Sequence, residues 1–178
     1  MNIDAFINTD DNVLTYHCKY YHDPARWNEA SLTVKKQINE LPWSDYIKYL
    51  DKEGHVSSEL DQILPQNAGG IYLFFIQGQT IPSCEMYLAY IGRAFFTGSE
   101  NIKKRVKRYL RESRYSKGRP KIARLFKHWK DYLYIKFCYT TDNALIEAGE
   151  STLIRAILPP FNSDLPDKII FKEPKKAF

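Results

Sequence analysis

Glu150 is the residue whose position most clearly suggests chemistry. The pattern of residues 143 to 157 predicts a helix, and Glu150 falls within its apolar stripe rather than opposite it. The stripe consists of Ile146, Leu153, Ile154 and Ile157. A carboxylate that points into a protein interior is costly unless a cation or a metal ion meets it. Two explanations are open: a bound metal ion, or an ion pair with a lysine or arginine of a basic helix earlier in the chain. Glu147, on the margin of the stripe, is expected to be solvated.

A dense run of positive charge precedes that glutamate. Between Arg93 and Lys136 the chain has 15 lysines and arginines against three acidic residues, a net charge of +12, whereas the whole chain carries only +5. Six of these cations lie between Lys103 and Arg111, in a predicted helix. Such a local concentration of charge indicates a surface for a polyanion. The alternative is an ordinary solvated helix face.

Two tripeptides carry tyrosines near this charge. They are Gly70-Ile71-Tyr72 and Tyr90-Ile91-Gly92. Taken singly, strand tyrosines usually pack in a core, and the two glycines are equally consistent with turns at strand ends. Arg105 and Tyr109 are one helical turn apart, at the edge of the apolar stripe of the basic helix.

A small sheet and its flanking helices are needed to position these residues. Apolar and alternating runs predict three strands, over about residues 71–76, 86–91 and 132–139. The first two, separated by the loop from Gln77 to Glu85, are expected to pair as an antiparallel hairpin. The predicted fold is therefore α/β of the α+β type: a three-stranded antiparallel sheet flanked by helices, with a mainly helical N-terminal extension.

Two serines are predicted to cap helices. Ser44 precedes a helix-like pattern of Tyr46, Ile47 and Leu50, and Ser99 precedes the basic helix. Serine at the N-cap accepts a hydrogen bond from a free backbone N–H of the first turn.

Composition and length place the chain among globular proteins. A chain of 178 residues with 44% hydrophobic residues can bury a core that offsets the entropy of ordering. Its three cysteines are odd in number, which argues against a disulfide framework. No apolar run approaches the roughly 18 residues that span a bilayer. Residues 1–12 lack the features of an export signal. We therefore expect a cytoplasmic protein without a membrane partner.

In their order and spacing, these residues resemble the GIY-YIG nuclease superfamily. The similarity consists of the two tripeptides, the following Arg93, the helix with Arg105, and Glu150 with Asn162 after it. Over about residues 68 to 164 the chain looks most like the N-terminal nuclease domain of the bacterial excision-repair incision subunit. The resemblance does not extend to residues 1–65 or to the loop from Gln77 to Glu85.

The resemblance implies a set of catalytic residues. It places the metal-binding carboxylate at Glu150 and the helix arginine at Arg105. The other active-site positions fall on Tyr72, Tyr90, Arg93, Tyr109 and Asn162. Arg93 stands where the family often has lysine, and an arginine is less able to exchange a proton. The outward cations of the basic helix are expected to face DNA: Lys103, Lys104, Lys107, Arg108 and Arg111.

These residue types suit metal-dependent hydrolysis of a phosphodiester. One carboxylate suffices for Mg²⁺ (or Mn²⁺), because Mg²⁺ keeps several waters and acts as a Lewis acid on the phosphate. Arg105 would hold phosphate oxygens by charge-assisted hydrogen bonds. In the family's proposed mechanism, Tyr72 takes the proton of the attacking water, which requires a lowered phenol pKa. Tyr90 is expected to position groups, and Asn162 to orient Glu150.

The sequence thus predicts a divalent-metal-dependent DNA endonuclease of restriction or repair type. A restriction enzyme would form a homodimer in order to cut a palindrome. The alternative is a catalytically inactive nucleic-acid-binding module with the same fold. The predicted division is an accessory region at residues 1–66, a nuclease domain at 67–165 and a tail at 166–178.

Overall fold

A computed structural model of the chain describes residues 24–29, 32–78, 81, 85–112 and 120–162. The helices are α1 (Pro24–Glu29), α2 (Leu32–Asn39), α3 (Ser58–Ile63), α4 (Ile102–Glu112), α5 (Pro120–Trp129) and α6 (Asn143–Ile157). The strands are β1 (Ile47–Lys48), β2 (Gly69–Gln77), β3 (Met86–Ala94) and β4 (Leu133–Thr140). None of the described helices has both the length and the apolar composition needed to cross a membrane. The predicted tail, 166–178, lies outside the described residues.

The four strands form one antiparallel sheet in the order β1-β4-β2-β3. The α+β class and the predicted hairpin of β2 and β3 are confirmed. The predicted number of three strands is wrong, because the short β1 pairs with Ile135 and Tyr134 of β4. β3 lies at one edge of the sheet and pairs only with β2 among the described strands.

The helix predicted after Ser44 is also wrong, since this segment leads into β1. The Ser44 N–H donates to the Phe137 carbonyl (2.8 Å), and the Ser44 hydroxyl accepts from the Phe137 N–H (3.0 Å). Hydrogen-bond partners on β4 thus override the local helical pattern, because propensity is only a weak preference. Residues of the predicted accessory region therefore complete the sheet of the predicted nuclease domain.

Helices cover both faces of the sheet. Tyr72, Phe74 and Tyr90 belong to the core on the first face, together with buried residues of α3, α4 and α5. Ile71 and Ile91 belong to the core on the second face, against α6. Successive strand residues point to opposite faces, so the tyrosines of both tripeptides lie on the first face. Arg93 lies on the second.

The helices that carry Arg105 and Glu150 have well-defined starts. Asn101, rather than the predicted Ser99, caps α4, because its Oδ1 accepts from the Lys104 N–H at 2.8 Å. Asp142 caps α6 by accepting from the N–H groups of Ala144 and Leu145. Leu158 follows α6 as its C-cap, and its left-handed backbone (φ 52°) turns the chain back toward β3.

Candidate active site

Three tyrosine hydroxyls meet between the sheet and α4. Tyr72 lies on β2, Tyr90 on β3 and Tyr109 on α4. The hydroxyl of Tyr109 is 2.7 Å from that of Tyr72 and 3.1 Å from that of Tyr90. Tyr72 and Tyr109 are completely buried. The structure therefore brings together three tyrosines that the sequence nominated separately.

Arg105 joins this tyrosine cluster from the inner edge of α4. Its Nε donates to the Tyr72 hydroxyl and its Nη2 to the Tyr109 hydroxyl, both at 3.4 Å. The guanidinium carbon also lies 5.0 Å from the centroid of the Tyr109 ring, at cation–π distance. Two phenols thus fix the orientation of the guanidinium.

The hydroxyls of Tyr72 and Tyr109 are held in their protonated form. Burial raises the pKa of Tyr72 well above its ordinary value of 10.0; Tyr90 adds to this shift, and the Arg105 cation only partly opposes it. Burial likewise raises the pKa of Tyr109, and neighbouring Tyr72 adds to the shift. Arg105 thus lowers the Tyr72 pKa, as the family's mechanism requires of a nearby cation, but the effect of burial is larger.

Gly92 allows Tyr72 to reach the edge of the sheet. A Cβ atom on Gly92 would lie 2.6 Å from Cε2, Cζ and the hydroxyl of Tyr72, closer than real contacts permit. The ring thus crosses β3 above Gly92, and its hydroxyl donates to the Arg93 carbonyl at 3.3 Å. Gly70 is equally confined, since its Cβ would lie 2.1 Å from the Cys138 carbonyl oxygen. Both glycines serve close approach within strands, and the interpretation as strand-end turns is wrong.

Glu150 forms an ion pair with Arg93. Arg93 Nη1 is 2.7 Å from Glu150 Oε2, and its Nη2 is 3.2 Å from Glu147 Oε1. The Glu150 side chain is 16% exposed, whereas that of Glu147 is 60% exposed. The guanidinium also lies 4.9 Å from the Phe95 ring centroid. Glu150 therefore meets a cation of β3, whereas the predicted ion pair was with the basic helix. Glu147 contacts the same cation as well as solvent.

Arg93 connects the two halves of the site. Its backbone carbonyl accepts the Tyr72 hydrogen bond, and its side chain holds Glu150. The tyrosine cluster with Arg105 approaches the edge of β3 from the first face, and the carboxylate approaches from the second. Both sets of nominated groups converge on this short stretch of the edge strand.

Asn162 fixes the same strand from outside. Its Oδ1 accepts from the Ile91 N–H (2.9 Å), and its Nδ2 donates to the Ile91 carbonyl (2.7 Å). Ile91 lies between Tyr90 and Gly92, so Asn162 positions the strand that carries both. Asn162 was expected to tie down the loop after α6 and so orient Glu150, and its side chain ties this loop to the β3 backbone.

Lys121 is a positioning residue that the sequence did not reveal. Its Nζ donates to the carbonyls of Asn162 (3.0 Å) and Pro160 (3.3 Å), which ties α5 to the turn after α6. Burial lowers the pKa of Lys121, and nearby Arg124 adds to this effect. Its position among many cations gave no signal of this contact.

The outward cations of α4 line a single cavity. They surround a volume of about 530 Å³ together with Gln66 and Asn101. The cations are Lys103, Lys104, Lys107, Arg108 and Arg111. Asp61 of α3 pairs with Lys107 (2.8 Å) and Lys103 (3.3 Å), so part of the positive charge is already compensated. This cationic cavity lies on the side of α4 opposite its buried face.

Glu150 can offer a carboxylate oxygen to the metal ion that the resemblance implies. Charged oxygen ligands suit Mg²⁺ and Mn²⁺, and a partly exposed carboxylate leaves room for the waters that Mg²⁺ retains. Asp51, Glu53 and His55 form another group with ligand atoms close together, but all three are exposed, as acidic groups often are without a metal. We therefore assign the metal to neither Asp51 nor Glu53.

Comparison with known proteins gave no match among protein-family models, curated proteins or solved structures.

Proposed function

We propose that this protein is a divalent-metal-dependent DNA endonuclease of the GIY-YIG type. The observation that carries the proposal is the convergence on Arg93: Tyr72 binds its carbonyl while Glu150 binds its guanidinium. A carboxylate that could hold a metal ion and an arginine oriented by phenols suit phosphodiester hydrolysis, which needs stabilisation of the negative charge on the phosphate.

Each group has a separate role in this proposal. Glu150 holds Mg²⁺ or Mn²⁺, which supplies Lewis-acid stabilisation of the phosphate. Arg105 holds phosphate oxygens, and Tyr72 and Tyr109 orient its guanidinium. Because the Tyr72 phenol stays protonated, its role is to donate a hydrogen bond and position Arg105 rather than to accept the proton of water.

The cationic cavity supports DNA as the substrate. Its five cations lie on the helix that also carries Arg105, so one element contacts both the scissile phosphate and the flanking backbone. Cations that neutralise phosphates release counterions, which makes the affinity fall with salt. About four contacts give a log-log slope near −3.6.

Glu150→Gln tests the proposed function. It keeps the shape of the side chain and removes its charge, so we expect DNA binding to remain and cleavage of supercoiled plasmid with Mg²⁺ or Mn²⁺ to fall by about 10² to 10³. The melting temperature should change little, since Arg93 remains partly solvated and keeps Glu147.

The cleavage products of the unaltered protein distinguish the two biological roles. DNA fragments of fixed length would favour a restriction enzyme, and cleavage limited to damaged DNA would favour a repair enzyme.

A purely structural ion pair gives a different result in the same assay. Glu150→Gln would then leave metal-dependent cleavage intact, with the same small change in melting temperature, because the ion pair lost is the same in both cases. That outcome would remove Glu150 as the metal ligand.

A binding module without catalysis is the second candidate. It is favoured by one observation: Arg93 already neutralises Glu150. It predicts salt-sensitive DNA binding with no nicking of plasmid in Mg²⁺ or Mn²⁺, compared with an EDTA control.

A further inference from the structure

Arg93 contacts two carboxylates one helical turn apart on α6. Its Nη1 lies 2.7 Å from Glu150, and its Nη2 lies 3.2 Å from Glu147. The ring of Phe95 provides a third contact for the same guanidinium, 4.9 Å from the ring centroid. A planar guanidinium can divide its donors between two acceptors in this way, whereas an ammonium group acts as a single point charge.

From these contacts we propose that Arg93 competes with the divalent metal ion for Glu150 and that Glu147 retains Arg93 when the ion displaces it. The inference rests on the proposed role of Glu150 as the metal ligand. It assigns a new role to Glu147, as the carboxylate that holds the displaced arginine.

Competition follows from the charges. Glu150 Oε2 already accepts a short, charge-assisted hydrogen bond from Arg93, which makes this oxygen less available to a metal ion. A guanidinium fixed beside the carboxylate also repels an approaching divalent cation. The metal therefore binds with its full affinity only after Arg93 has moved.

Glu147 makes that movement short. Arg93 is already bound to Glu147 and lies over Phe95, so it can leave Glu150 without losing these two contacts. The greater exposure of Glu147 lets its side chain follow the guanidinium. Loss of the Glu147 charge should therefore strengthen the hold of Arg93 on Glu150.

Direct titration of Mn²⁺ tests the proposal. The free Mn²⁺ signal in electron paramagnetic resonance gives the dissociation constant for the full chain without DNA. We expect Arg93→Gln to tighten Mn²⁺ binding by about tenfold or more, the equivalent of one charge-assisted hydrogen bond. Glu147→Gln should instead weaken it by about two- to fivefold, because exposed ion pairs are weak.

Two control variants separate this mechanism from simpler ones. Arg155→Gln removes the same charge from an exposed position of α6, and its effect should stay below about twofold. Glu150→Gln should abolish the site. If Arg93→Gln melts early, the titration is carried out below its melting temperature, and Mn²⁺ binding should still tighten.

The outcomes distinguish the inference from the proposed function. Unchanged Mn²⁺ binding in Glu150→Gln would show that Glu150 is no ligand, and both ideas would fail. Loss of binding in Glu150→Gln with unchanged or weaker binding in Arg93→Gln would overturn only the competition. If Arg155→Gln tightened Mn²⁺ binding as much as Arg93→Gln, the effect of Arg93 would be explained by the overall charge of the protein, and the competition would be overturned.

Discussion

Tyr72 combines a central position in the polar network with complete burial. Its hydroxyl lies within hydrogen-bond distance of Tyr109, Arg105 and the Arg93 carbonyl. The raised pKa keeps its proton in place and favours a positioning role over that of general base.

Tyr72→Phe distinguishes these two roles. Loss of the hydrogen bond to Arg105 should reduce cleavage by about tenfold, the equivalent of one hydrogen bond, with DNA affinity unchanged. Removing a general base costs about 10² to 10⁴. The measurement is single-turnover cleavage across pH, with Tyr87→Phe at an exposed position of β3 as the control. A loss above about a thousandfold, together with a changed basic limb, would restore Tyr72 as the base.

Gly92 leads to a second prediction at the scale of the residue. A methyl group there meets the Tyr72 ring, so Gly92→Ala should destabilise the fold by about 1 to 3 kcal/mol and sharply reduce cleavage. Gly98→Ala is the matched control, because a Cβ at Gly98 meets nothing within 4 Å. Thermal melts of the two variants give the comparison. Equal melting temperatures would show that the Tyr72 ring can move aside freely.

Two opposite faces of helix α4 carry the residues of the candidate site. One side places Arg105 and Tyr109 in the buried cluster, and the other lines the cationic cavity. Asp61 restrains two of the cavity's lysines, and Lys107 and then Lys103 lower the pKa of Asp61 below its ordinary value. Asp61 is therefore ionised at neutral pH and reduces the net positive charge of the cationic cavity.

Asp61→Asn should strengthen DNA binding. Releasing Lys103 and Lys107 adds phosphate contacts, so the log-log salt slope should become steeper by about one unit for each new contact. Glu59→Gln removes an equal charge from an exposed position on the same α3 helix and serves as the control. Fluorescence anisotropy across salt concentrations measures both. If both variants changed DNA binding and its salt slope equally, the cause would be the change in overall charge rather than the release of Lys103 and Lys107.

The whole molecule should lose stability at alkaline pH in a way that depends on its buried tyrosines. Folding raises the pKa of Tyr72 and Tyr109, so their contribution is complete below the unfolded value near 10 and is lost as pH rises above it. Tyr72 and Tyr109 should each cost up to roughly 1 kcal/mol per pH unit in that range. In thermal melts from about pH 8 to 11, the melting temperature should fall less steeply with pH for Tyr72→Phe than for Tyr87→Phe. An equal fall in melting temperature for the two variants would contradict the claim that burial raises the pKa of Tyr72.

Local patterns were sufficient to predict much of the architecture. The β2–β3 hairpin and the bounds of α6 agree with the sequence, because alternation and helical periodicity depend on residues close along the chain. The same periodicity placed Glu150 on the inward side of its helix, where it is 16% exposed. The two tripeptides and Arg105 were also visible as candidates, although their contacts were not.

Only the tertiary structure decided which groups meet. Arg93 and Glu150 are 57 residues apart, Asn162 and Ile91 are 71 apart, and nothing in local spacing selects these partners over other cations or backbone groups. The same is true of β1, whose strand conformation depends on pairing with β4 and overrides a helical pattern. The Tyr72 pKa is likewise a tertiary property, because complete burial, which the sequence does not specify, outweighs the neighbouring cation.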